Sequence, residues 1–288
     1  MSRIRLHSAK STHSAGQRHD TAEGAPSDRP LGIVVTATST SATAWARRTA
    51  LLRQLPLTVV GADWTEPALA GITGGQPSVK TVTVTSPLSA TLVEMTKSAE
   101  MVVVAPPGGV WKHDDEGQWT LRALVRSADC SVVVVGANSL PHAGGPVVVG
   151  ISGLSPVESA VIGAAFEEAS RRRVGLVTVH TWSEPTHLSM PTINWSPIEW
   201  ANNSARERHR LTERLAGFQD LHPEVAITHL VVSGDHTRAL TRLSHSAQLV
   251  VVGDGRHPRV KMDRKYGSGL HPLFSVAGCP VLLARTHT

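Results

Sequence analysis

From Leu31 onward, short unbroken apolar runs alternate with longer segments in which apolar residues recur every three or four positions. In the first half the runs are Gly32–Thr36, Leu57–Trp64, Val79–Thr85, Met101–Ala105 and Ser131–Gly136. They return as Pro146–Ile151, Val174–Trp182, Val225–Ser233, Leu249–Gly253 and Pro280–Ala284. Valine runs without polar alternation are what strands covered on both faces look like, as in a parallel sheet between helices. Between the runs the spacing predicts helices near Thr43–Leu55, Leu88–Lys97, Thr120–Ser127, Ser155–Arg172, Ser196–Asp220, Thr237–His245 and Leu270–Val276. Two of these open on a capping box with proline at the first helical position: Ser155-Pro156-Val157-Glu158 and Ser196-Pro197-Ile198-Glu199.

The two halves match as an internal repeat. Trp64 and Trp182 close equivalent strands 118 positions apart, whereas Ala105 and Gly253 lie 148 apart and Cys130 and Cys279 lie 149 apart. The offset jumps by 30 after the tryptophan strand, where the second half carries a long loop and the helix opened by Ser196. The first half has only Thr65–Ser78 there, so it reads as a copy lacking one helix. The expected organisation is a disordered tail (1–30), a trimmed α/β domain (31–136), a linker (137–145) and a fuller α/β domain (146–288). Two domains also suit 288 residues at about 150 per domain.

Composition narrows the function. Only two cysteines exclude a disulfide scaffold or a cysteine-built metal site. No apolar run approaches the roughly 18 residues of a membrane-spanning helix, and the first 30 residues lack the apolar core of a secretory signal, so a cytoplasmic location is expected. A net charge of +5 permits anionic ligands, but no basic patch is interleaved with aromatics, so neither nucleic acid nor membrane is expected as a partner. His7, His13 and His19 recur every six residues, which fits no common metal-ligand spacing; they read as polar filler rather than a metal site. Gly108-Gly109-Val110-Trp111-Lys112 lacks the spacing and the Ser/Thr of a Walker A loop, and Ser268 has no nucleophile elbow around it. His236 and His245 stand nine residues apart, too far to share a metal across one helical turn. His180 reads as a partly buried side chain near the cleft. Trp195 and Trp200 fall in the segment the first half lacks; packing of the extra helix is favoured there over a lid.

The second half resembles the universal stress protein family in its tandem form. The resemblance rests on Val147-Val-Val-Gly-Ile-Ser152 with Ser155-Pro156, Leu176-Val-Thr-Val-His-Thr-Trp182, Val231-Val-Ser-Gly-Asp235, Gln248-Leu-Val-Val-Val-Gly253, Gly267-Ser268 and Cys279-Pro-Val-Leu-Leu283. It spans about 146–285, and more weakly 31–136. It implies two tandem Rossmann-like domains, each a five-stranded, mostly parallel sheet flanked by helices. It also implies a regulatory binding protein of the stress response, in a family where many members bind ATP and others do not. ATP-binding members carry Gly-x2-Gly-x9-Gly-Ser/Thr after the fourth strand, where glycines let backbone N–H groups approach phosphate. They also carry an Asp at the end of the first strand that holds the nucleoside.

This chain departs from both. Its second loop reads Gly253-Asp-Gly255, with Arg256 where the family has glycine, and eleven residues before Gly267-Ser268. The Asp position is Ser152. In the first half Ala105-Pro-Pro-Gly108 leads to Gln118-Trp119, and the Asp position is Ala37 or Thr36, so no nucleotide is expected there by the family route. The candidate ligand residues are therefore Ser152, Val179, Gly253, Gly255, Arg256, Gly267 and Ser268, in a loop made basic by Arg259, Lys261, Arg264 and Lys265. A phosphate clamp and a solvated basic loop both remain open for that segment. The implied ligand is ATP or another nucleotide, with no metal beyond nucleotide-bound Mg and, at most, weak ATP hydrolysis. A phosphate-transferring or hydrolysing enzyme and a ligand-free interaction module remain as alternatives. In the family the fifth strands pair antiparallel across a two-fold axis; here 131–136 and 280–285 could make that contact within one chain, alongside a homodimer. Cys130 and Cys279 would then lie at opposite ends of the ribbon, too far apart for a disulfide.

Overall fold

In the computed structural model, residues 5–7, 31–61, 77–84, 87–106, 116–137, 139, 141–151, 158–182, 197–233, 235–253 and 271–285 are described. The chain divides into two compact units, Met1–Ala137 and Asn138–Thr288.

The first unit contains strands β1 (Arg5–His7), β2 (Gly32–Thr36), β3 (Leu57–Val60), β4 (Val79–Thr83), β5 (Ala99–Val104) and β6 (Ser131–Val134). Its helices are α1 (Thr40–Arg53), α2 (Leu88–Met95) and α3 (Glu116–Ser127). Strands β2 to β6 run parallel in the order β4-β3-β2-β5-β6, with β2 fully buried as its unbroken apolar run requires. Gly32 enters β2 at φ +58, and a side chain there would run into the carbonyl of Pro56, which instead accepts from the Ile33 N–H at 2.9 Å. Ser39 caps α1, accepting from the Ala42 N–H, and Gln54 ends it in the left-handed region before Pro56.

The N-terminal tail departs from expectation at three residues. Arg5–His7 pairs antiparallel with Thr81–Thr83 of β4. A strand needs only backbone donors and acceptors from its partner, so a polar tail can cover β4 without the apolar run that strand reading looks for. The other tail residues, and 62–76 where the missing helix is expected, lie outside the described residues. Helix α3 starts at Glu116, four residues before the expected Thr120.

The second unit has β7 (Val147–Ile151), α4 (Glu158–Arg172), β8 (Leu176–Trp182), α5 (Pro197–Leu221), β9 (Ile227–Ser233), α6 (His236–Ser244), β10 (Leu249–Gly253), α7 (His271–Val276) and β11 (Val281–Ala284). All five strands are parallel, in the order β11-β10-β7-β8-β9. The extra length foreseen here is α5, between β8 and β9. Leu211 and Leu215 of α5 are buried one turn apart, and Phe218 and His222 stack on Phe166 of α4 at centroid separations of 5.8 and 5.9 Å. Trp195 is outside the described residues, and Trp200 is placed only as a member of the first turn of α5. The segment expected to be a linker is fastened to this unit: the Ser139 hydroxyl donates to the Ala277 carbonyl, and the His142 N–H donates to the Ala247 carbonyl.

Both cysteines are buried thiols. Burial raises the Cys279 pKa from 9.0 to about 12. The folded state thus holds this proton more tightly than the unfolded chain does. The associated stability is complete below pH 9.0 and is lost as the pH climbs towards about 12. At pH 8 the thiolate population of Cys279 is lower than in an ordinary thiol by about a thousandfold. A disulfide-exchange reagent is therefore expected to titrate neither thiol in the native protein and both in denaturant. Rapid native reaction of either would contradict this.

Candidate functional site

In the second unit the chain runs from β7 outward to β8 and β9, then returns to lay β10 on the other side of β7. The carboxyl ends of β7 and β10 therefore flank a topological switch point, where open α/β sheets form their ligand crevice. Ile151 ends β7 and Gly253 ends β10. A side chain at Gly253 would come within 3.2 Å of Val161 Cγ2, so glycine lets α4 close tightly against this strand end. Val179, the other described candidate, is fully buried in β8 and pairs in register with Gly150.

Two histidines stand nearby, one in β8 and one at the start of α6. His180 is 7% exposed and pairs in register with Ile151, whose carbonyl accepts from its Nδ1–H at 3.1 Å. A carbonyl can only accept, so the proton is on Nδ1. His236 is the first residue of α6, directly after its N-cap Asp235, which accepts from the Thr237 and Arg238 N–H groups. The His236 ring lies over Gly150: a Cβ at position 150 would be 2.6 Å from its Nε2 and 2.9 Å from Leu240 Cδ1. Burial holds the His236 pKa below the ordinary histidine range and nearby His180 adds to that; the Asp235 carboxylate opposes it. His236 is therefore a neutral imidazole at neutral pH.

The corresponding crevice of the first unit, between β2 and β5, is bridged by the chain itself. The Thr38 hydroxyl donates to the Ala105 carbonyl at 3.3 Å and meets the Thr36 hydroxyl at 3.1 Å. The two positions matching the phosphate-loop Gly-Ser are in the first turns of α3: Gln118 is buried, and Trp119 is exposed with the Arg122 guanidinium 5.4 Å from its ring centre.

Of the seven candidate ligand residues, the structure places Gly253 at the carboxyl end of β10 and Val179 in the middle of β8, in one sheet. Ser152, Gly255, Arg256, Gly267 and Ser268 lie outside the described residues. Sequence reading passed over Gly150 and weighed His236 only as a metal partner for His245. The available signal was a lone glycine within a valine strand, which marks close approach of another group. Among the described residues there is no cluster of His, Cys, Asp or Glu able to hold a metal, and no helix long and apolar enough to cross a membrane.

The universal stress protein family model matches residues 145–285. A universal stress protein of Mycobacterium tuberculosis is 34% identical over 301 residues, covering 88% of this chain and 96% of that protein. The crystal structure of a universal stress protein from Archaeoglobus fulgidus is similar over 89% of this chain and 99% of its own, with a TM-score of 0.56 at 10% identity. A universal stress protein crystallised in complex with cAMP covers 50% of this chain and 99% of its own, at 18% identity and a TM-score of 0.36.

Proposed function

The chain belongs to the universal stress protein family, and from that premise we propose that it is a cytoplasmic regulatory binding protein of the stress response whose second unit takes ATP or another nucleotide. The observation that supports a ligand in this unit is the switch point between the ends of Ile151 and Gly253. The equivalent place in the first unit is spanned by the Thr38–Ala105 hydrogen bond, which supports a first unit without a nucleotide. The strand ends fit a nucleotide in one respect: Gly253 presents no side chain where the phosphate loop would begin. In this reading Gly253, Gly255, Gly267 and Ser268 supply backbone donors to phosphate, Arg256 adds a guanidinium, and Ser152 stands at the nucleoside end. Any Mg would arrive with the nucleotide. Binding rather than turnover is the proposed role.

Calorimetric titration of the full chain with ATP, before and after Gly267→Val, tests this. A branched side chain would keep phosphate from the backbone donors, so the variant is expected to bind at least about tenfold more weakly. Absence of heat in the wild type, with no nucleotide released on denaturation, would leave a ligand-free interaction module. Phosphate release well above background would favour the enzyme alternative.

A further inference from the structure

We infer that β9, the outer strand of the second unit, is a dimerisation edge: it pairs antiparallel with β9 of a second copy of this chain, across a two-fold axis at Leu230. The inference gives the homodimer a surface and is independent of any nucleotide.

The two units treat equivalent edges differently. β4 and β9 are the matching outer strands of the two parallel sheets. β4 is guarded in three ways: it has five residues, it carries Lys80, and Arg5–His7 pairs along it antiparallel. β9 has seven residues, Ile227–Ser233, and among the described residues it pairs only with β8. From Val225 to Gly234 the chain holds no Lys, Arg, Asp, Glu or Pro, so the usual sequence blocks to edge pairing are missing. His229 adds no charge at neutral pH: burial holds its pKa below the ordinary histidine range, and the Arg208 charge adds to that. Its Nδ1 shares a hydrogen bond with the Thr178 hydroxyl at 2.9 Å. Leu230, Val231 and Val232 are only half-buried, so apolar side chains meet solvent on both faces of the strand. A long, uncharged, apolar edge with free backbone donors and acceptors is a template for another strand.

Self-complementarity selects a second copy as the occupant. With the axis at Leu230, Leu230 stands opposite its own copy, Val231 opposite His229 and Val232 opposite Thr228. These are aliphatic and β-branched cross-strand pairs, and none sets like charges against each other. Helix α5 packs on β9, and the same axis turns one α5 end for end against the other. Exposed Arg206, Arg208 and Arg210 of one copy then run beside exposed Glu213 and Asp220 of the other. Leu221, 74% exposed at the end of α5, adds apolar area to the same surface. One helix thus carries both halves of a complementary charge pattern, as an isologous interface requires.

Sedimentation of the full chain over a concentration series, with Leu230→Lys, Leu230→Glu and Leu230→Cys, tests this. The wild type is expected to pass from the mass of one chain to that of two. Each charged variant sets like charges against each other at the axis and should weaken the dimer at least about tenfold. An equal mixture of the two charged variants should dimerise again, because opposite charges then meet; that rescue excludes a folding defect. Leu230→Cys should give a disulfide-linked dimer on mild oxidation, since the axis brings the two positions together and both native thiols are buried. A wild type that stays monomeric throughout the series overturns the inference; β9 amides slow to exchange at every concentration would then mean that the chain covers its own edge. A dimer unaffected by both charged variants and not cross-linked through Leu230→Cys also overturns it and places the interface elsewhere.

Discussion

Phe166→Ala is expected to destabilise the second unit by about 3–5 kcal/mol, lowering its urea midpoint. Phe166 is fully buried on α4, so truncation removes a whole ring from a close-packed site and leaves a cavity that rigid neighbours fill only in part. The ring also stacks on Phe218 of α5 at an interplanar angle of 20° and on His222, just past the end of that helix, at 24°. Such aromatic pairing adds about 0.5–1.5 kcal/mol beyond burial, and here it joins α4, which packs on β7 and β8, to α5, which packs on β9. A Cβ at Gly163 would come within 3.3 Å of the Phe218 ring, which shows how closely α4 and α5 approach. Phe166→Leu keeps most of the volume and should cost clearly less than alanine. Hydrogen exchange at the β7 and β8 amides would locate the loss; a midpoint unchanged in Phe166→Ala would contradict the packing described.

The second large effect concerns an ion pair four residues apart on the same helix. Arg172 Nε donates to Glu168 Oε2 at 2.9 Å, and their side chains are only 3% and 2% exposed. Exposed pairs of this spacing contribute little, as with Arg171–Glu167 at 3.4 Å, where both side chains meet solvent. For the buried pair the decisive quantity is desolvation: removing one partner leaves the other charge in a low-dielectric interior. Glu168→Ala and Arg172→Ala are each expected to cost about 3–5 kcal/mol. A double variant, Glu168→Leu with Arg172→Met, removes both charges and should be markedly more stable than either single change. If both singles prove as mild as Glu167→Ala, solvent reaches the pair and the argument fails.

The nucleotide proposal and these stability effects are separable, since Phe166, Glu168 and Arg172 lie along α4 while the proposed ligand crevice is at the carboxyl ends of β7 and β10. Loss of ATP binding in Gly267→Val with an unchanged melting midpoint would therefore report on recognition rather than folding.

The order of strands and helices was legible because its determinants are local. A run such as Val147-Val148-Val149 can only be a covered strand, and Pro197 after Ser196 can only open a helix. The repeat, with its extra segment between the second and third strands of the second half, follows from the same local signals compared at a distance. The position of Gly253 at the end of its strand followed from where that run stops. Tertiary structure alone decided what meets what: the His236 ring over Gly150, Phe166 between Phe218 and His222, Thr38 across to Ala105, and Arg5–His7 along β4. Periodicity says which face of an element is apolar. It carries no information on strand register or on how far a helix is rotated against its sheet, and those two quantities determine which side chains from remote parts of the chain come into contact.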